Sequence, residues 1–243
     1  MRSSVPRPRW ASMTGMAATG PAANTMAGLA SFGGNGRFVG KVKNDRLGQS
    51  FAADMRNIGV HFDTAMAGSG LPTACCIIAV TPDGHRSMNT YLGAAQDLHP
   101  NDIDADDVAG AGITYLEGYL WDPPHAKDAF RKAATIAHGA GQKVALTLSD
   151  AFCVDRYRGE FLELMRSKTV DLIFANESEL HSLYQTSDFD TALKQLSQIV
   201  HRQAVVMSFG DTFLMLTVIY VGLSTLVFLF AKPANPLTPQ SDH

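Results

Sequence analysis

The stretch Asp171-Leu172-Ile173-Phe174-Ala175-Asn176-Glu177-Ser178-Glu179-Leu180 carries a fold signal and a chemical one. Residues 172–175 form a short apolar run, suited to a strand buried on both faces of a parallel sheet. Asn176 ends the run, and residues 177–184 read as a helix. Acidic side chains therefore stand at the carboxyl end of a strand, beside a helix N-terminus. Open α/β sheets bind ligands at that edge, and a helix N-terminus favours anions. The same residues also fit a capping box. In that arrangement an N-cap Asn and a Glu three residues later satisfy backbone N–H groups at the helix start.

Outward from this stretch the pattern is strand–helix alternation. Residues 113–116 and 144–148 are apolar strands, and the turn-rich segment 118–124 is a loop. A long helix follows it to about Ala140, closed by Gly141. Residues 161–165 lie on a short helix, and 190–200 form another with Leu193, Leu196 and Val200 on one face. Such alternation predicts a parallel sheet flanked by helices. Earlier, Gly20-Pro21-Ala22-Ala23-Asn24-Thr25 opens a helix to about Ser31, closed by Gly33-Gly34. Residues 38–42 are a strand, and 47–58 a helix whose apolar stripe is Leu47, Phe51, Met55 and Ile58. This beginning is helix–strand–helix, with no strand expected ahead of Gly20. Residues 73–80 and 85–91 flank the turn Thr81-Pro82-Asp83-Gly84, and so predict a hairpin that could cover a site. Arg86 follows the turn directly; it is either a solvated strand-edge residue or a phosphate contact.

Composition narrows the class. With 46% hydrophobic and 18% charged residues in 243, the chain is too apolar for disorder. A net charge of −3 leaves no general basic patch, which argues against nucleic acid as a partner. Three cysteines, two of them adjacent and none in a C-x-x-C pair, suit a reducing compartment. The eight histidines are scattered without metal-ligand spacing. Residues 1–19 hold Arg2, Arg7 and Arg9, no acid and no continuous apolar core, and read as a disordered lead-in. Residues 213–230, from Phe213 to Phe230, lack any charge and reach the lower length of a membrane-spanning helix. The alternative there is a buried helix or strand of the soluble domain.

Six motifs in order resemble the ribokinase-like (PfkB) carbohydrate and nucleoside kinases, nearest to bacterial adenosine kinase-like members. They are Gly20-Pro21-Ala22-Ala23-Asn24-Thr25; Phe38-Val39-Gly40-Lys41-Val42 with Gly48; and Asp83-Gly84-His85-Arg86-Ser87-Met88-Asn89-Thr90-Tyr91-Leu92-Gly93-Ala94. The rest are Tyr115-Leu116-Glu117-Gly118-Tyr119, Leu146-Thr147-Leu148-Ser149-Asp150 and Asn176-Glu177-Ser178-Glu179. The resemblance covers roughly Gly20 to Gln198. It implies an α/β fold: a ribokinase-like parallel sheet with a β-hairpin lid. It also implies transfer of a phosphoryl group from ATP, with Mg2+, to a hydroxyl of a nucleoside or sugar. Gly20, Asn24, Gly40 and Lys41 would then meet the substrate. Arg86 would meet the transferring phosphates, and Asn176 and Glu179 would organise magnesium and phosphate.

The chain departs from the family pattern in three places. Thr19 and Pro21 replace a Gly and a Ser of the substrate turn. No strand bearing a sugar-gripping Asp is expected before Gly20. The Gly-Ala-Gly-Asp segment, whose Asp is the family's catalytic base, is met only by Gly210-Asp211-Thr212-Phe213, with Phe209 ahead of it. Asp211 is the one base candidate, and impaired transfer is the expectation. From about Arg202 onward the chain resembles instead the last transmembrane helix of a major facilitator drug-efflux transporter. The expected organisation is a lead-in over 1–19, a partial kinase domain over 20–200, and a hydrophobic helix with a polar tail over 201–243. The kinase body would be cytoplasmic, with membrane association through residues 213–230. The alternative reading is a non-catalytic nucleoside-binding or membrane-tethered fusion fragment.

Overall fold

The computed structural model describes residues 12–16 and 20–199. Five strands form one sheet: β1 (Ser12–Met16), β2 (Asn35–Val39), β5 (Ile113–Glu117), β6 (Lys143–Thr147) and β7 (Leu172–Phe174), in the order β2-β1-β5-β6-β7. Every pairing in it is parallel. Two further strands, β3 (Cys75–Val80) and β4 (Arg86–Tyr91), pair antiparallel with each other as a separate ribbon. The hairpin expected from the Pro-Asp-Gly turn is therefore present, in register from Cys75–Tyr91 to Val80–Arg86.

The largest correction concerns the N-terminus. Expected as part of a disordered lead-in, residues 12–16 instead pair with β2 on one side and β5 on the other. Ser-Met-Thr-Gly-Met holds one β-branched residue, so strand propensity gives it no signal. The strand exists because both neighbours offer it a ladder. The expected strand 38–42 sits earlier, at Asn35–Val39.

Among the described residues there are seven α-helices, the last two following β7: α1 (Pro21–Ser31), α2 (Arg46–Asn57), α3 (Ala105–Gly110), α4 (Pro124–Gly139), α5 (Ala151–Arg166), α6 (Glu177–Tyr184) and α7 (Phe189–Ile199). The expected short helix at 161–165 is the second half of α5, which Asp150 caps and which bends at Tyr157 (φ −118°, ψ 21°). In α2 the buried face is Gly48, Ala52 and Met55, while Leu47 and Ile58 of the expected stripe are about half exposed.

The sheet separates two cores. One gathers Ala22 and Met26 of α1, Ala52 and Met55 of α2, and the edge-to-face rings of Phe38, Phe51 and Phe62. The other sets the alanine face of α4 and its Phe130 against Leu116, Val144 and Leu146, and extends through α5 to α6 and α7. Tyr115 packs on the first and Leu116 belongs to the second, as the two-residue period of a strand requires. Glu160 on α5 accepts hydrogen bonds from Trp121 Nε1 (2.9 Å) and Lys127 Nζ (2.7 Å), tying α5 to the start of α4.

Residues 213–230, read as a membrane-type helix, lie outside the described residues, as does Asp211. Among the described residues no helix is long and apolar enough to cross a membrane.

Gly118 follows β5 where a Cβ would stand 2.7 Å from the carbonyl oxygens of both Thr147 and Leu148. Backbone cannot yield as a side-chain tip can. Gly118→Ala should therefore destabilise the fold by about 1–3 kcal/mol, the usual cost of overpacking, measured as a lowered denaturant midpoint at unchanged slope.

Candidate active site

In an all-parallel sheet every strand ends at the same edge, so the residues after each strand share one side of the molecule. Gly20 and Asn24 follow β1, Gly40 and Lys41 follow β2, Glu117 ends β5, Ser149 and Asp150 follow β6, and Asn176 and Glu179 follow β7. The register confirms the alignment: Glu117 lies opposite Thr147, and Thr147 opposite Phe174.

Asn176 and Glu179 make the complete capping box of α6. Glu179 N–H donates to Asn176 Oδ1 (2.9 Å), and Asn176 donates back through its backbone N–H to Oε2 (3.1 Å) and its Nδ2 to Oε1 (2.7 Å). Glu179 is only 4% exposed. Burial raises its pKa above the ordinary value; the Asn176 N–H opposes this and the Asp150 charge adds to it. The cap is thus real. It also holds a buried carboxylate in place, each oxygen accepting one hydrogen bond from Asn176.

Glu117 stands in the motif Tyr115-Leu116-Glu117-Gly118-Tyr119, where the sequence alone implies no role for it. It is 2% exposed. Its Oε1 accepts from Ser149 Oγ (2.6 Å), and Ser149 Oγ in turn accepts from Tyr119 N–H (3.2 Å). Its Oε2 is buried without a hydrogen-bond partner. Burial pushes the Glu117 carboxyl up to about 7; the Ser149 and Tyr115 hydroxyls pull down, and the Glu179 charge pushes further up. Ser149 holds φ at 71°, a left-handed backbone that non-glycine residues rarely adopt and that clusters at functional sites. Asp150 beside it caps α5, accepting from Cys153 N–H (2.8 Å). The sequence did hold a signal for this pair. Glu117 is the lone charge at the end of an apolar strand, and Ser149-Asp150 sit just past the next one, as Asn176 does past β7.

The other expected residues are spread along or away from this edge. Gly20 precedes α1 at φ 83°, a conformation glycine adopts freely, and Asn24 is exposed in the first turn of α1. Gly40 is buried in the loop after β2. Lys41 does not offer a free ammonium: its Nζ is 2.6 Å from Asp102 Oδ1, with both side chains largely buried. Arg86 opens β4 on the separate ribbon, opposite Val80.

A parallel sheet with polar groups gathered at its carboxyl edge and a detached hairpin is a ribokinase-like arrangement. The chain belongs to the pfkB family of carbohydrate kinases, whose profile matches residues 11–212. That match takes in β1 and runs past Arg202, so the likeness to a transporter tail has no support between Arg202 and Thr212. The structure resembles adenosine kinase from Sinorhizobium meliloti with a TM-score of 0.74 and 50% identity, over 82% of this chain and 66% of that one. A probable sugar kinase from Rhizobium etli gives 0.74 and 49%, over 82% and 65%. Among curated proteins, probable fructokinase-6 of Arabidopsis thaliana is 28% identical over 175 residues, 70% of this chain and 45% of that protein. The chain thus spans about half the length of this curated relative and about two thirds of those solved structures.

The ionisation of Glu117 can be read from stability. Between the ordinary value of 4.5 and its folded value of about 7, the folded state binds more protons than the unfolded one. Stability contributed by this group is therefore full below pH 4.5 and is lost as pH rises through 7, a change on the order of 3 kcal/mol. Glu117→Gln should flatten that part of the melting-temperature profile. An unchanged slope across the window would remove Glu117 as its source.

Proposed function

We propose that this protein transfers the γ-phosphoryl group of ATP to a hydroxyl of a nucleoside, adenosine-like, or of a sugar. The observation that carries this reading is the buried Glu117 carboxylate with one oxygen unpartnered, at the same sheet edge as the Asn176–Glu179 box. A buried carboxylate without a full set of partners is costly, and a cationic ligand offsets that cost.

The donor set suits hydrated magnesium. Among the described residues no cluster of three acidic, histidine or cysteine groups could cage a metal. Mg2+ does not need one, because it usually keeps several waters and takes one or two carboxylates together with substrate phosphates. Glu117 and Glu179 would supply those carboxylates, and Asn176 would orient Glu179. ATP with Mg2+, when bound, supplies the phosphoryl group and neutralises its charge. The chain's own residues then position the partners, which is most of catalysis in this chemistry. Gly20, Asn24 and Gly40 would approach the acceptor, with the glycines admitting it close to backbone. Arg86 would stabilise phosphate charge as a permanently charged fork. Asp211 falls within the family match and is the candidate for the base that takes the acceptor's proton. Adenosine is the first acceptor to try, since the resemblance of the sequence motifs is to adenosine kinase-like members. The two solved relatives, nearly equal in identity, are described as an adenosine kinase and a probable sugar kinase, so sugars belong in the same assay.

Labelled phosphate transfer from ATP to adenosine, ribose and fructose tests the proposal. Asp211→Asn should lower transfer by about 10²–10⁴-fold, the worth of general-base assistance, and Glu179→Gln should raise the magnesium requirement. If the parent chain transfers no phosphate to any of the three, the kinase proposal fails for this chain. A nucleoside-dependent rise in melting temperature under those conditions would favour the non-catalytic binding reading instead.

A further inference from the structure

Among the described residues, the hydrogen bonds that hold the hairpin of β3 and β4 to the body lie at its base. Every residue of β3 is exposed, and Ile77, Ile78, Val80 and Met88 are at least half exposed. Apolar packing therefore does not fix the ribbon against the body, and its stems must. The stem entering β3 passes through Thr73, and the stem leaving β4 runs through Gly93 and the turns at Gly93–Asp97 and Pro100–Asp102.

The stems clasp each other. Ala94 N–H donates to Pro72 O (2.8 Å), and Gly93, at φ 47°, lets that carbonyl lie 2.1 Å from where a Cβ would stand. Both stems are also bound to one loop, residues 40–45. Asp45, the N-cap of α2, receives Thr73 N–H on Oδ2 (2.9 Å) and Thr73 Oγ–H on Oδ1 (2.8 Å). Thr73 Oγ1 accepts from Lys43 N–H (3.0 Å). On the other stem, Lys41 Nζ donates to Asp102 Oδ1 (2.6 Å), while Asp102 Oδ2 accepts from His99 N–H (3.0 Å) and so closes its own turn. The two tethers differ in kind. The Asp45 grip is made by a capping carboxylate that α2 already needs. The Lys41 grip is a single ion pair between largely buried side chains, and breaking one partner leaves the other uncompensated.

We propose that the loop 40–45 sets the angle of the hairpin through these two tethers, and that Lys41 and Asp102 are positioning residues for the hairpin rather than substrate contacts. A ligand that moves the loop moves both stems together, because each is bonded to it within five residues of the other's anchor. The consequence for Arg86, which rides on β4, rests on the kinase reading; the tethering itself does not.

Spin labels at His85→Cys on the hairpin and Thr135→Cys on α4, with Cys75→Ser and Cys76→Ser to remove the exposed native thiols, report the hairpin's position as a distance distribution in the full chain. Lys41→Met should widen that distribution about two-fold, as expected for release of a locally stable unit. Thr73→Val, which loses the hydroxyl but keeps the N–H bond to Asp45, should widen it less. The exchanged pair Lys41→Asp with Asp102→Lys, which restores opposite charges, should narrow it again, and a widened distribution at an unchanged melting temperature separates positioning from general stability. Asp102→Asn keeps an acceptor for His99 N–H, and serves where Lys41→Met fails to fold. A distribution unchanged in folded Lys41→Met or Asp102→Asn overturns the proposal, whether or not the chain transfers phosphate.

Discussion

The structure depends on a five-residue strand with parallel partners on both sides. β1 pairs with β2 through Ser12–Asn35 to Met16–Val39, and with β5 through Met13–Ile113 to Met16–Leu116. Without it β2 would have no ladder to β5. The core of α1 and α2 would then be joined to the rest only through loops. Parallel pairing also sets polarity, since no strand can be reversed without losing its neighbours' register. The carboxyl ends of all five strands consequently face one way, and whatever polar residue follows each strand is delivered to the same edge. The site is a result of this register before it is a result of any side chain.

What the edge receives is an electrostatic conflict. Glu117 is buried where its ionised form is disfavoured, and the Glu179 charge adds to the cost. The Ser149 hydroxyl offsets part of it from a left-handed backbone. A buried carboxylate with one oxygen unpartnered, as in Glu117, costs stability. The Asn176–Glu179 box caps α6 and at the same time fixes the orientation of the Glu179 carboxylate.

The hairpin obeys different constraints from the sheet. It has no core of its own, and its strands show apolar side chains to solvent. Hydrogen bonds and an ion pair gather at its root, where Gly48 and Gly93 let backbone carbonyls approach more closely than a Cβ would allow. Lys41 pairs with Asp102 there.

Much of this was legible in the sequence. The apolar runs at 113–116, 144–148 and 172–175, each ended by a polar residue, announce parallel strands because burial on both faces demands continuous hydrophobicity. The Asn-x-x-Glu cap, the Thr-Pro-Asp-Gly turn and its paired strands are local chemistry, so spacing alone reveals them. β1 was not legible, since Ser-Met-Thr-Gly-Met has no preference of its own and takes its conformation from neighbours far along the chain. The same holds for the exposed ends of the α2 stripe, whose burial is decided by what packs against the helix. Glu117 could be seen as a charge at a strand end. Its lost solvent, its bond to Ser149 and its proximity to Glu179 arise only when β5, β6 and α6 meet, because desolvation and Coulomb energy depend on distance in space rather than along the chain.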